Sequence, residues 1–125
     1  MKMPFSEEGP IFLQLAEQLE DAILSGAYPE ETQIPSITEY SLLYKINPAT
    51  ALKGINLLVD AGLLYKKRGV GMFVVKGAQE QLAKRRQADF YRDYVLPLSR
   101  EAQRLGLRKE ELENLIERGL NEHED

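Results

Sequence analysis

Three closely spaced signals between residues 34 and 74 constrain this chain more than anything else in it. Ser36-Ile37-Thr38-Glu39 reads as a capping box. The Ser36 hydroxyl can accept from the Glu39 amide while the Glu39 carboxylate reaches back to the Ser36 amide. This predicts a helix over 37–44, with Ile37 and Tyr40 turned inward and Leu43 or Tyr44 near its end. Asn47-Pro48 then supplies a strong N-cap residue followed by a proline that suits the first helical turn. A second helix is expected from there to about residue 61, stopped by Gly62. Only Lys45 and Ile46 separate the two, the short connection of a helix-turn-helix. Strand-like runs at 63–66 and 70–74 flank a Lys67-Arg68-Gly69 turn. A helix pair followed by a small basic hairpin is the plan of a winged helix-turn-helix.

The rest of the chain falls on either side of this block. Residues 1–9 read as a loose tail punctuated by Gly9-Pro10. Ile11, Leu15, Leu19, Ala22 and Ile23 recur at helical spacing, with Phe12 and Ala16 widening the stripe. A scaffold helix over 10–25, ending at Gly26, follows. In the second helix of the pair, Ala51, Ile55, Leu58 and Val59 form the core stripe, and Thr50, Lys53 and Asn56 lie off it. After Lys76-Gly77 the pattern changes to one long helix over 78–105. Tyr91, Val95, Leu98, Ala102 and Leu105 alternate at spacings of four and three, a seam suited to helix–helix association and broadened by Phe90 and Tyr94. Pro97 should kink it. A further helix over about 109–120 carries Leu112, Leu115, Ile116 and Leu120 on one face, and residues 121–125 read as a frayed end. Two helices cannot bury both stripes by themselves, which points to a homodimer mate. The expected architecture is mainly α with a small β-hairpin: a winged helix-turn-helix domain at 1–76 and a two-helix dimerisation segment at 77–125.

Charge separates along the same lines. The net charge is −4. Residues 1–39 hold one Lys against eight Asp/Glu and residues 77–125 hold nine basic against eleven acidic side chains. Residues 40–76 instead carry Lys45, Lys53, Lys66, Lys67, Arg68 and Lys76 against Asp60 alone. A local positive field on an acidic chain favours phosphate contacts at one face and discourages them elsewhere. Asn47, Ala49 and Thr50 cluster at a helix N-terminus, where free amides favour phosphate and short side chains reach base edges in a major groove. Lys53 lies a turn further on. Lys67, Arg68 and Gly69 form the hairpin tip, which suits a minor groove.

Other chemistries find little support. There is no cysteine and a single histidine, His123, so disulfides, thiolate metal sites and His-based catalysis are not expected. No nucleophile–base pair, phosphate loop or metal-ligand spacing is present, and no cofactor is implied. No apolar run approaches the ~20 residues that span a bilayer, and no signal-peptide pattern opens the chain; the expected compartment is the cytoplasm.

Several motifs together resemble the GntR family of bacterial transcription regulators: Pro10-Ile11-Phe12-x-Gln14, Ile23-Leu24-Ser25-Gly26, Ile34-Pro35-Ser36, Thr50, Asp60-Ala61-Gly62-Leu63 and Arg68-Gly69-Val70-Gly71-Met72-Phe73-Val74. The likeness covers about residues 10–75. The Asn47-Pro48-x-Thr50 variant and the short C-terminal part are similar to the YtrA-like branch. The resemblance implies a dimeric repressor on double-stranded DNA, with a palindromic operator and often a transporter operon under control. It also places Ser36 and Thr38 at the DNA. Thr38 stands where the family usually has a DNA-contacting Arg, Pro48 and Leu52 where many members have basic residues, and Glu31 where a connector Gly is common. Tyr91, Tyr94, Val95, Leu98, Ala102, Leu105, Leu112, Leu115 and Ile116 are the expected dimer contacts. A dimer crevice near Tyr91 and Tyr94 is a candidate seat for a small apolar effector. The alternative reading is a winged-helix protein-interaction module that has lost DNA binding.

Overall fold

The computed structural model describes residues 5–7 and 9–122. His123 and the last residues of the expected frayed end lie outside them. The chain forms two compact units, one ending at Arg85 and the other beginning at Arg86.

The first unit opens with α1 (Ile11–Ser25). Pro10 is its N-cap rather than its first helical residue, and Gly26 closes it in the left-handed conformation. Leu15, Ala16, Leu19 and Ile23 are buried, while Ile11 stays exposed. Of the loose tail expected at 1–9, residues 1–4 and 8 lie outside the described ones, and the described part is held in place. Gln14 ties it down from α1, its Nε2 donating to the carbonyls of Ser6 and Gly9 and its Oε1 accepting from the Ser6 amide. Phe5 meets the Tyr44 ring edge-on at 5.5 Å.

Helix α2 (Ile37–Tyr44) follows the predicted capping box, with Glu39 N–H donating to Ser36 Oγ at 3.0 Å and Ser36 N–H to Glu39 Oε1 at 3.1 Å. Tyr40 is buried and its hydroxyl pairs with that of Tyr28 at 2.9 Å. Burial and then that hydrogen bond push the Tyr40 ionisation above the ordinary phenol range, so the ring stays neutral. Of Leu43 and Tyr44, only Tyr44 packs inward, stacked on Tyr40. Helix α3 (Pro48–Asp60) begins at the Asn47 cap, whose Oδ1 accepts from the Ala49 amide at 2.8 Å. Ala51, Gly54, Ile55 and Leu58 face the core.

The wing is β1 (Leu64–Lys67) paired antiparallel with β2 (Gly71–Val74), in the register Leu64↔Val74 to Lys67↔Gly71. Both strands start one residue later than expected, β2 still ending at Val74, so Lys67 ends β1 and the turn is Arg68-Gly69-Val70. Backbone bonds from the connector extend this sheet. Ile34 N–H donates to the Met72 carbonyl at 2.9 Å, Val74 N–H to Thr32 at 3.0 Å and Glu31 N–H to Val74 at 2.8 Å. The wing is thereby pinned to the segment that leads into α2.

Helix α4 (Ala78–Phe90) starts within the first unit: Ala78 and Leu82 are fully buried in its core. Gln79 Nε2 donates to the Leu24 carbonyl, Gln81 Nε2 to the Ala61 carbonyl, and Arg85 pairs with Glu20. The first unit therefore runs past residue 76.

The single helix expected over 78–105 is divided in the structure. Residues Tyr91–Val95 form a π-helical turn before α5 (Leu96–Arg104). Pro97 lacks the N–H that the Asp93 carbonyl would otherwise receive, and Leu96 N–H donates to Tyr91 instead, five residues back. Helix α6 (Lys109–Asn121) follows. At its start Glu111 accepts from the backbone N–H and Nε of Arg108, which holds its carboxyl below the usual range.

One glycine controls the α1–α3 crossing. A Cβ on Gly54 would lie 2.9 Å from the Phe12 carbonyl oxygen and 3.2 Å from Leu15 Cδ2. Overpacking of this kind typically destabilises by about 1–3 kcal/mol. We expect Gly54→Val to lower the stability by about 2 kcal/mol in a denaturant titration, although valine is the better helix former. A variant as stable as the parent would show that the helices can separate freely.

Candidate nucleic-acid interface

Every predicted DNA-contact residue belongs to the first unit. Ser36 and Asn47 occupy the two N-caps, so their side-chain oxygens already serve backbone amides. Thr38 is exposed on the first turn of α2, Ala49 is exposed and Thr50 half-buried on the first turn of α3. The turn between the helices is closed by Lys45 in the left-handed conformation (φ 54°) and by the Ser41 hydroxyl donating to the Ile46 carbonyl. Ser41 carries no signal of this role in the sequence, because a serine inside a helix is most often solvated.

Lys53 projects from α3 with its ammonium 4.1 Å from the centre of the Phe12 ring, and Lys67 lies 4.3 Å from the centre of Phe73. Such contacts hold a cation in place without neutralising it. Phe73 in turn stacks on Tyr65 across the hairpin. At the tip, Val70 N–H donates to the Lys67 carbonyl at 2.9 Å, and Gly69 has φ 78°, a conformation open to glycine at no steric cost. Arg68 is exposed beside it.

The electrostatic feature of residues 45–76 is a run of cations without ion pairs. Lys45, Lys53, Lys66, Lys67, Arg68 and Lys76 are all exposed, and among the described residues none forms a salt bridge. Beyond residue 77 the ion pairs include those of Lys84, Arg85, Arg92, Arg104 and Arg108, while Arg100, Lys109 and Arg118 are exposed and form none among the described residues. The cations of the helix-turn-helix and wing are left for an external anion.

The description "Bacterial regulatory proteins, gntR family" matches residues 12–74. The chain belongs to that family. The family is one of DNA-binding transcriptional regulators with a winged helix domain rather than of enzymes. The repressor NagR of Bacillus subtilis is 38% identical over 72 residues, which are 58% of this chain and 30% of NagR, so the chain spans under a third of that relative. A crystal structure of a GntR-family transcriptional regulator from Bacteroides thetaiotaomicron is 33% identical and superposes with a TM-score of 0.70, covering 88% of this chain and 96% of the other. The DNA-binding domain of AraR, solved in complex with operator ORX1, is 32% identical with a TM-score of 0.53, over 60% of this chain and 92% of that one.

Six of the nine expected dimer contacts line one open apolar groove of the second unit. Leu98, Ala102, Leu105, Leu112, Leu115 and Ile116 line a groove of about 230 Å³ between α5 and α6. Ala102 is buried, Leu112 and Val95 are half-buried, and the others are exposed. Tyr91 and Tyr94 are 61% and 66% exposed and do not line the groove. Phe90 and Tyr94 rest on each other at 5.4 Å. Among the described residues no cluster of potential metal ligands occurs, and no helix is long and apolar enough to cross a membrane.

Glu31, which stands where the family commonly has glycine, adopts φ 65°. A side chain there is strained by about 1–2 kcal/mol, against which glycine's extra unfolded-state freedom offsets about 0.5–1 kcal/mol. Glu31→Gly is therefore expected to raise the thermal midpoint of the first unit by a few degrees, about 0.5–1 kcal/mol. A lowered midpoint would mean that the connector carries no such strain.

Proposed function

We propose that the chain is a homodimeric repressor that reads a palindromic operator. In this reading Ser36, Thr38, Asn47, Ala49, Thr50 and Lys53 face the major groove and its flanking phosphates, and Lys67, Arg68 and Gly69 enter the adjacent minor groove. The observation that carries it is the run of six exposed cations between residues 45 and 76, none of them ion-paired among the described residues, against one acidic side chain, Asp60. The AraR domain bound to its operator and the naming of NagR as a repressor support the same assignment. Without an arginine at position 38, less of the affinity comes from bidentate guanine contacts and more from phosphates. The apolar groove lined by Leu98, Ala102, Leu105, Leu112, Leu115 and Ile116 is the proposed self-association surface, and Tyr91, Tyr94 and Val95 are proposed to join the same contact. The short two-helix segment also fits the YtrA-like branch, whose resemblance suggests a transporter operon as the target.

A second reading has its own observation. Leu42 and Leu43 on α2 are 75% and 64% exposed, a pair that suits contact with another protein. It describes a winged-helix module that no longer needs DNA.

The two are separated by titrating the purified chain with DNA from upstream of its own gene and with random DNA at moderate salt. The repressor reading predicts a clear preference for the former, with affinity falling steeply as salt rises. Arg68→Ala should weaken binding about tenfold or more while leaving the thermal melt within about 0.5 kcal/mol of the parent. No preference and no salt dependence would favour the protein-interaction module. Equal losses of binding and stability in Arg68→Ala would refute a direct contact.

A further inference from the structure

The wing tip is not a free loop. Its exposed residue Val70 is held from outside the hairpin: Gln33 Nε2 donates to the Val70 carbonyl at 2.9 Å. Gln33 belongs to the connector and pairs with Phe73 as an isolated antiparallel bridge. Its neighbour Ile34 is buried, and the chain then enters the capped start of α2. One segment thus joins the tip, the core and the helix-turn-helix. Gly71 is interlocked with it. A Cβ at Gly71 would collide with Gln33 Nε2, and Gly71 itself has φ 148°. The glycine leaves the space through which the glutamine reaches the tip.

We propose that Gln33 is a positioning residue for DNA binding, fixing the wing tip so that Lys67, Arg68 and Gly69 are presented in one arrangement. Gln33 need not touch the nucleic acid. It lowers the ordering penalty that a mobile tip incurs on association. The proposal rests on the reading of the tip as a DNA contact, and its test separates the two.

The full chain, Gln33→Met, Arg68→Ala and the double variant are each titrated with DNA from upstream of the gene at one salt concentration, alongside thermal melts. Methionine keeps the length of the side chain and removes the donor. Gln33→Met is expected to weaken binding about three- to tenfold, the range of one hydrogen bond, with an unchanged melt. Placed on Arg68→Ala, the same substitution should change affinity less than about twofold, because residues acting through one contact are non-additive. If Arg68→Ala weakens binding but Gln33→Met does not, or weakens it equally in both backgrounds, the positioning role is overturned and the tip contact stands. If Arg68→Ala has no effect, the tip contact itself fails and the role of Gln33 falls with it. Amide exchange of Val70, whose N–H closes the turn, gives a readout independent of DNA. It should quicken in Gln33→Met and in Gln33→Glu, and unchanged exchange in both overturns the proposal even if one variant melts early.

Discussion

The first unit depends on how closely α1 crosses α3 at Gly54. With no side chain at that position, the backbone of Phe12 and the side chain of Leu15 lie directly against α3. Leu15, Leu19 and Ile23 can then share one core with Ala51, Ile55 and Leu58. The same approach brings the Phe12 ring under the Lys53 ammonium, so a packing contact on the inner side orients a cation on the outer one. The wing depends on a second contact of this kind, the backbone pairing of Thr32 and Ile34 with β2. Helices and hairpin thereby form a single frame, and the first turns of α4 close it from the other side through Leu82, Gln79 and Gln81.

Electrostatics is laid over that frame by distribution rather than by total. The chain is acidic overall, yet its helix-turn-helix and wing carry cations that form no ion pairs among the described residues, while those of α4, α5 and α6 include several ion-paired cations. Exposed pairs of this sort add little stability. Their effect is to quench positive charge on faces where a polyanion is not wanted. Within the first unit, the acidic outer face of α1 and the cations of residues 45–76 carry opposite charge.

What the sequence made legible was mostly local. The capping box at Ser36 and Glu39, the Asn47-Pro48 start and the glycine-containing turn of the hairpin each rest on chemistry within four residues. They locate α2, α3 and the wing to within a residue. Non-local features left weaker traces. Gly54 reads as a mere interruption of a helix until the partner helix is in place. The extension of the sheet by Thr32 and Ile34 has no local signature, nor does the reach of Gln33 to Val70, 37 residues away. Gln14 enters the sequence reading only as a family motif residue, and its bonds to Ser6 and Gly9 have no local signature. Pro97 announced a disturbance, and the structure places it a turn earlier, as a slipped hydrogen-bond register. The change of pattern after residue 76 marks the start of α4, and the burial of Ala78 and Leu82 in the first unit's core has no sequence signal beyond their type. The candidate site residues were legible through type and position, and the structure adds which of their atoms are already engaged: Ser36 Oγ and Asn47 Oδ1 serve caps, while the lysines and Arg68 do not pair.

The central claim is that the outer face of α3 and the wing tip receive DNA and that the acidic face of α1 does not. Amide hydrogen exchange of the full chain with and without upstream DNA tests it most directly. The account predicts new protection over residues 47–53 and 67–71, with residues 17–21 unchanged. Protection appearing on α1 or around Leu42 and Leu43, with none at 67–71, would contradict it.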